Sequence, residues 1–173
     1  VVSDLAYGAL GYQGYENPSF LSTPGAKDVG IEFYTFSKTF NMAGWRLAFA
    51  AGNEQMIEAL NLIQDHLFVG IFPALQEAGI AALSDPKSEE AVAQLNATYD
   101  SRRDAFVQAA AKIGWQAFPS RGSFYAWMPV PEGYTSESFA DLLLEKAHVA
   151  VAPGKGFGPA GDAYVRIGLL VDP

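Results

Sequence analysis

YTFSKTFNMAGWR, residues 34–46, changes character within its first five residues. The run Ile31-Glu32-Phe33-Tyr34-Thr35-Phe36 alternates like a strand and stops at Ser37-Lys38. Small and polar residues follow, and the chain then resumes as Arg46-Leu-Ala-Phe-Ala-Ala. A lysine thus closes what reads as a buried strand, and an arginine opens the next one. Both are costly places for a cation, so the spacing of Lys38 and Arg46 calls for a chemical reason.

The totals set the frame. Half of the 173 residues are hydrophobic and 17% are charged, enough for a substantial core in one domain or a domain and a half. Net charge is −8, and Arg102-Arg103 is the only adjacent basic pair. That disfavours nucleic acid or an anionic membrane as partner, since both bind through clustered lysine and arginine. The absence of cysteine excludes a disulfide framework, thiolate metal sites and thiol nucleophiles, and it fits a cytoplasmic protein. No metal site is expected. No run reaches the roughly 18 apolar residues of a membrane span.

Working outward, Val1-Val2-Ser3-Asp4 reads as the end of a buried strand, so the expectation is a chain that starts mid-strand, a fragment. Residues 46–51 are nearly all apolar, as in a strand covered on both faces. Asn53 is placed to cap a helix over 54–66, and Pro73 to open one reaching Leu83. Asp85-Pro86 starts a long amphipathic helix carrying Val92, Leu95, Tyr99, Phe106, Ala109 and Ile113, with a polar step at Arg102-Arg103 and a stop at Gly114. Strands are then expected at 115–118, 123–128, 149–152 and 164–170, with a helix capped by Thr135 or Ser136 and a Pro/Gly loop at 153–161. This is α/β in the first half and a smaller α+β unit in the second, divided as 1–98 and 99–173 within the long helix.

Four positions carry chemistry. A lysine amine attacks carbonyl carbons only when deprotonated, and apolar surroundings favour that form; Lys38 follows an aromatic strand. Arg46 could grip a phosphate in bidentate fashion with the Ser37 hydroxyl beside it. Asp4 could pair with a protonated ring nitrogen, and Tyr7 could hydrogen-bond a phenolic oxygen. Arg166 lies on an alternating strand with Tyr164 and Gly168, where its fork suits a carboxylate. Each has a plainer reading: a surface lysine, a structural ion pair, a chance Asp-x-x-Tyr, a solvent-facing arginine. Together they match amino acids handled by pyridoxal phosphate.

Asp4-Leu-Ala-Tyr7, Ser37-Lys38-Thr-Phe-Asn-Met-Ala-Gly-Trp-Arg46 and Tyr164-Val-Arg166-Ile-Gly, in that order, resemble the class I/II aminotransferases of the fold-type I pyridoxal-phosphate enzymes. The resemblance implies the end of a large α/β domain plus a small α+β domain, and a homodimeric parent. It implies that Lys38 carries pyridoxal 5'-phosphate as an internal aldimine and moves the proton. Asp4 would hold the ring nitrogen, Tyr7 the phenolic oxygen, Ser37 and Arg46 the phosphate, and Arg166 the substrate carboxylate. Phe124, within Gly122-Ser-Phe124-Tyr125, would line the substrate mouth beside a mobile loop containing Pro153-Gly154 and Phe157-Gly158.

The family's N-terminal part has no counterpart here. It brings a phosphate loop, a ring-stacking aromatic and an asparagine at the phenolic oxygen. Leu170-Val-Asp-Pro173 stops where the family continues into a final helix. The expectation is a C-terminal portion, inactive or nearly so by itself. Two alternatives stand beside it. A carbon–sulfur β-lyase of the same fold would in general lack an arginine two residues after Gly44. A non-catalytic binding module has no need of Lys38. Among substrates, the wording resembles branches acting on aspartate, aromatic or diaminopimelate-like amino acids, with a lean to the last.

Overall fold

The computed structural model describes residues 1–172; Pro173, the last residue of the expected second domain, lies outside them. The chain divides into two compact units, Val1–Asn96 and the part from Ala97 onward, and the division falls inside one long helix.

In the first unit, β1 (Val2–Asp4) pairs in parallel with β2 (Ile31–Thr35), and β2 pairs antiparallel with β3 (Ala48–Gly52). A short helix, α1 (Ala26–Val29), precedes β2. Another, α2 (Phe36–Thr39), follows it directly. The expected strand 31–36 therefore ends one residue early, because Thr35 caps α2 by accepting from the Ser37 amide. The register sets Asp4 opposite Phe33 and Thr35 opposite Ala48. The ends of β1 and β2 and the start of β3 thus share one sheet edge.

Beneath α2 lies a core of Phe36, Met42 and Leu47, with Phe40, Ile71, Ala78 and Ala82 packed against it. Helices α3 (Glu54–Leu67) and α4 (Pro73–Ser84) start at the expected caps, and Asn53 Oδ1 accepts from the Met56 amide at 3.1 Å. Gly79 lets α4 approach this core closely: a Cβ there would lie 2.8 Å from Leu47 Cδ2, which would have to shift. Two expectations of burial fail. Val1 and Val2 are exposed, and so are Ala48, Phe49 and Ala51 of β3. β1 and β3 are the outer strands of this three-stranded sheet, and neither is covered on both faces within the described residues.

Helix α5 (Lys87–Lys112) begins where Asp85 accepts from the Lys87 amide. It ends at Gly114, whose φ of +73° lets the Trp115 amide turn back to the Ala110 carbonyl. The second unit then builds an antiparallel sheet in the order β4 (Tyr125–Pro129), β6 (Tyr164–Gly168), β5 (Ala152–Pro153), with α6 (Ser136–Ala147) contributing Phe139 to the core. Met128 and Val165 at its centre are fully buried.

Here the expected strand at 115–118 is absent. Those residues form no ladder, and the Trp115 indole N–H donates to the Pro129 carbonyl instead. The strand expected at 149–152 shrinks to Ala152–Pro153, because the Val149 amide is taken by the Leu143 carbonyl at the end of α6. The polar step in α5 is also different from its reading. Arg103 is buried, and its guanidinium sits between Asp100 and Asp104 and donates to the Ser120 carbonyl.

Candidate active site

Lys38 stands on α2, one turn past the carboxyl end of β2, and is partly buried. In a sheet with parallel strands this edge is where ligands collect, because the loops and first helical turns there leave a crevice. Asp4 ends β1 at the same edge. Tyr7 follows in the next turn, and Lys38 Nζ lies 5.8 Å from the centre of its ring. The turn holding Tyr7 is itself tied down: Asn17 Nδ2 donates to the carbonyls of Tyr7 and Leu10 at 2.9 and 3.0 Å.

Ser37 is buried, and its Oγ accepts from Thr35 Oγ1 at 2.9 Å. Arg46 is exposed and holds a left-handed backbone, φ 54° and ψ 46°. That conformation costs a non-glycine residue roughly 1 kcal/mol or more, and such residues gather at functional sites. Nη1 of Arg46 donates to the Ala43 carbonyl at 2.9 Å, which steadies the side chain. A concavity of about 520 Å³ opens beside it, lined also by Trp45, Gln64, Phe68, Ile71 and Phe72. Arg46 is the one cationic side chain in that lining.

The structure therefore brings Asp4, Tyr7, Ser37, Lys38 and Arg46 to one edge of the first sheet. What they lack is as informative as where they stand. Among the described residues no carboxylate pairs with Lys38 or Arg46, and no cation pairs with Asp4. A structural ion pair is thus not what Arg46 makes here. An acid, an amine and a guanidinium at one sheet edge, none with an ionic partner among the described residues, form a set that fits pyridoxal phosphate: anionic phosphate, aldehyde carbon and basic ring nitrogen.

Arg166 and Phe124 belong to the second unit and are described within it. Arg166 lies on β6 opposite Trp127, on the face opposite the buried Val165. Its Cζ is 4.1 Å from the Tyr125 ring centre and 4.3 Å from that of Phe157. Phe124 is tilted against Tyr99 at 5.1 Å and Tyr125 at 4.9 Å, and its carbonyl accepts from the Leu169 amide. The loop after β5 forms two 3-10 turns, Gly154–Phe157 and Pro159–Ala163.

Several residues around these positions escape a reading of the sequence. Thr35 and Asn17 act through backbone groups, and only a cap signature and the Asn-Pro pair hint at them. Glu32 is buried in β2 and accepts from Ser3 Oγ, Ser19 Oγ and the Phe20 amide at 2.9, 2.5 and 2.7 Å. A carboxylate interrupting an apolar strand was its visible signal. Asp162 accepts from the Ser136 hydroxyl, which holds its carboxyl below the ordinary value, while Glu137 raises Lys155 through a 2.8 Å bond. Among the described residues no group of histidine, aspartate or glutamate is arranged for a metal, and no helix is long and apolar enough to cross a membrane.

The family model for aminotransferase class I and II matches residues 1–172. The chain is 60% identical over 170 residues to the L-glutamine–4-(methylsulfanyl)-2-oxobutanoate aminotransferase of Bacillus subtilis, covering 98% of this chain and 42% of that protein. It is 48% identical to the LL-diaminopimelate aminotransferase of Moorella thermoacetica, covering 99% of this chain and 43% of that one. Among solved structures, substrate-bound BacF of Bacillus subtilis superposes with a TM-score of 0.94 at 46% identity, over 99% of this chain and 44% of BacF. The aromatic aminotransferase of Pyrococcus horikoshii gives a TM-score of 0.95 at 35% identity, over 99% and 46%. The chain thus spans less than half the length of the relatives it matches.

Proposed function

From the premise that this chain belongs to the class I and II aminotransferase family and has its fold-type I architecture, we propose that the protein carrying it moves an amino group between an L-amino acid and a 2-oxo acid using pyridoxal 5'-phosphate. The observation that carries the proposal is the set Asp4, Lys38 and Arg46 at the carboxyl edge of β1 and β2, without ionic partners among the described residues. When bound, the cofactor supplies an electron sink that makes a substrate α-proton removable.

The chain's own residues do the rest. Lys38 would hold the cofactor through Nζ, yield that place to the substrate amine, and then carry the proton lost from the substrate α-carbon. Asp4 would keep a proton on the ring nitrogen by offering it a carboxylate. Tyr7 would donate to the phenolic oxygen. Ser37 and Arg46 would hold the phosphate, one through a hydroxyl and one through a charged fork. Arg166 would take the substrate carboxylate, with Phe124 lining the approach. The homodimeric part of the reading is carried by the family resemblance, the cytoplasmic part by the absence of cysteine, and the domain assignment, a large-domain end followed by a small domain, by the order of the family's motifs.

We favour L-glutamine as amino donor, on the 60% identity to a relative named for it. LL-diaminopimelate is the second reading, supported by a 48% identical relative. A β-lyase reading is disfavoured by Arg46 two residues after Gly44, and a non-catalytic one by Lys38 itself. The test uses the natural gene product that contains this sequence, loaded with pyridoxal phosphate. Given L-glutamine and 4-(methylsulfanyl)-2-oxobutanoate it should form L-methionine, and Lys38→Ala should abolish that. No transfer from L-glutamine, LL-diaminopimelate or L-aspartate, or pyruvate and ammonia released from L-cysteine without an oxo-acid acceptor, would overturn the proposal.

A further inference from the structure

Arg166 is a partly buried cation to which none of the described residues offers a carboxylate or any other hydrogen-bond acceptor. Two rings hold it instead, those of Tyr125 and Phe157, at 4.1 and 4.3 Å. A guanidinium is planar and weakly hydrated, so contact with an aromatic face is favourable. A ring accepts no strong hydrogen bond. The contact therefore constrains where the guanidinium sits and leaves its N–H donors unspent.

Both rings are themselves placed by neighbours. Tyr125 stands opposite Gly168 on β6, where a Cβ would press on Leu170 at 3.2 Å and only touch the Tyr125 ring, at 3.9 Å. Arg166, two residues before Gly168, is the diagonal neighbour that the ring reaches. Phe157 meets Trp127 edge-on at 5.7 Å, and Trp127 stacks on Tyr164 at 5.5 Å. The loop bearing Phe157 closes on itself through two glycines. A Cβ on Gly154 would lie 2.2 Å from the Gly161 carbonyl oxygen, and one on Gly161 would lie 2.1 Å from that of Gly154.

Polar bonds stitch the same loop on either side of Phe157. Fully buried Ser136 accepts from the Lys155 amide at 3.3 Å and donates to Asp162 at 2.8 Å. Lys155 reaches Glu137. Such stitching places a half-exposed aromatic ring, Phe157, over a cation rather than in a core.

We propose that Phe157 and Tyr125 are positioning residues, pre-orienting the Arg166 guanidinium so that it meets a substrate α-carboxylate without first losing side-chain freedom. The proposal rests on the reading above that Arg166 takes that carboxylate. Pre-organisation saves ordering cost only for a ligand that uses the fork, so the rings should matter for an amino acid and not for the matching amine.

The experiment titrates the pyridoxal-phosphate-loaded natural protein with L-glutamine and with 4-aminobutanamide, the same amine without the carboxylate, and follows cofactor absorbance to obtain two dissociation constants. Phe157→Leu and Tyr125→Leu should each weaken L-glutamine about tenfold while changing 4-aminobutanamide by less than about twofold. Phe157→Tyr, which keeps the ring, should bind L-glutamine as the unchanged protein does. Equal weakening of both probes, or unchanged L-glutamine binding in the leucine variants, would overturn the proposal. Arg166→Gln separates the two levels. If it erases the preference for L-glutamine while the ring variants retain it, only the role of the rings fails. If it leaves that preference intact, or the unchanged protein shows none, the carboxylate reading falls and takes this proposal with it.

Discussion

The two units bury apolar surface to different extents. The second encloses Met128, Phe139 and Val165 in a core closed by its own helix and sheet, and two of its rings, Tyr125 and Phe157, sit over one arginine. The first buries a small cluster under α2 but leaves Leu67, Phe68, Val69 and Phe72, at the turn between α3 and α4, between 66% and 89% exposed. Exposure of that extent marks a surface meant to be covered. The contrast teaches that Lys38 and its neighbours are presented by a unit whose apolar faces are less self-sufficient, whereas Arg166 stands on a scaffold that closes its own core.

The sharpest attempt to break this contrast is Phe139→Ala. It should destabilise the second unit by about 3–5 kcal/mol, since a buried ring leaves a cavity beside Trp115. Urea unfolding followed by fluorescence checks it, with Trp115 and Trp127 reporting on the second unit and the half-exposed Trp45 on the first. A loss confined to the Trp45 signal would contradict the account. Arg103→Leu should cost the second unit about 2 kcal/mol by leaving the Ser120 carbonyl and two aspartates without their donor. In the first unit, Asn53→Ala should cost about 1 kcal/mol through the lost cap on α3. Substituting Leu67 and Phe72 by lysine should change stability by less than about 0.5 kcal/mol and reduce self-association in sedimentation. A large destabilisation there would show that the exposed patch is structural.

The smallest effect is a pH dependence. The Ser136 hydroxyl bond holds the Asp162 carboxyl below its ordinary value, so the folded state binds that proton less readily than the unfolded one. Its contribution is present above the ordinary carboxylate value and is lost as pH falls through the depressed one. Lys155 behaves oppositely. Raised mainly by its Glu137 bond, it contributes fully below the ordinary lysine value and loses that contribution as pH rises through the higher one. Ser136→Ala should flatten the acid limb of a denaturation-midpoint profile while leaving the alkaline limb in place.

Much of this architecture was readable wherever a signal is local. The caps at Asn53 and Thr135, Pro73 at a helix start and Gly114 at a helix end place α3, α4, α5 and α6 within a residue or two. The motif from Ser37 to Arg46 pointed to the family that the full-length match shows. The failures are non-local. Residues 115–118 have strand-like composition but form no ladder; Trp115 is tied instead by its amide to the Ala110 carbonyl and by its indole to that of Pro129. Arg103 reads as one of a polar pair, and its bond to the Ser120 carbonyl, far along the chain, is what no local pattern announces. The rings around Arg166 could not be assigned from order along the chain, since one comes from β4 and the other from the loop between β5 and β6.

If the edge of the first sheet is built to hold pyridoxal phosphate on Lys38, borohydride reduction should trap it there. The natural protein is incubated with pyridoxal phosphate, reduced and digested, and the pyridoxyl adduct is located by mass spectrometry. The adduct should fall on Lys38 and be absent in Lys38→Ala, with Lys27, Lys87, Lys112, Lys146 and Lys155 unlabelled. An adduct spread over those lysines, or one that persists at full yield when Lys38 is replaced, would contradict that reading.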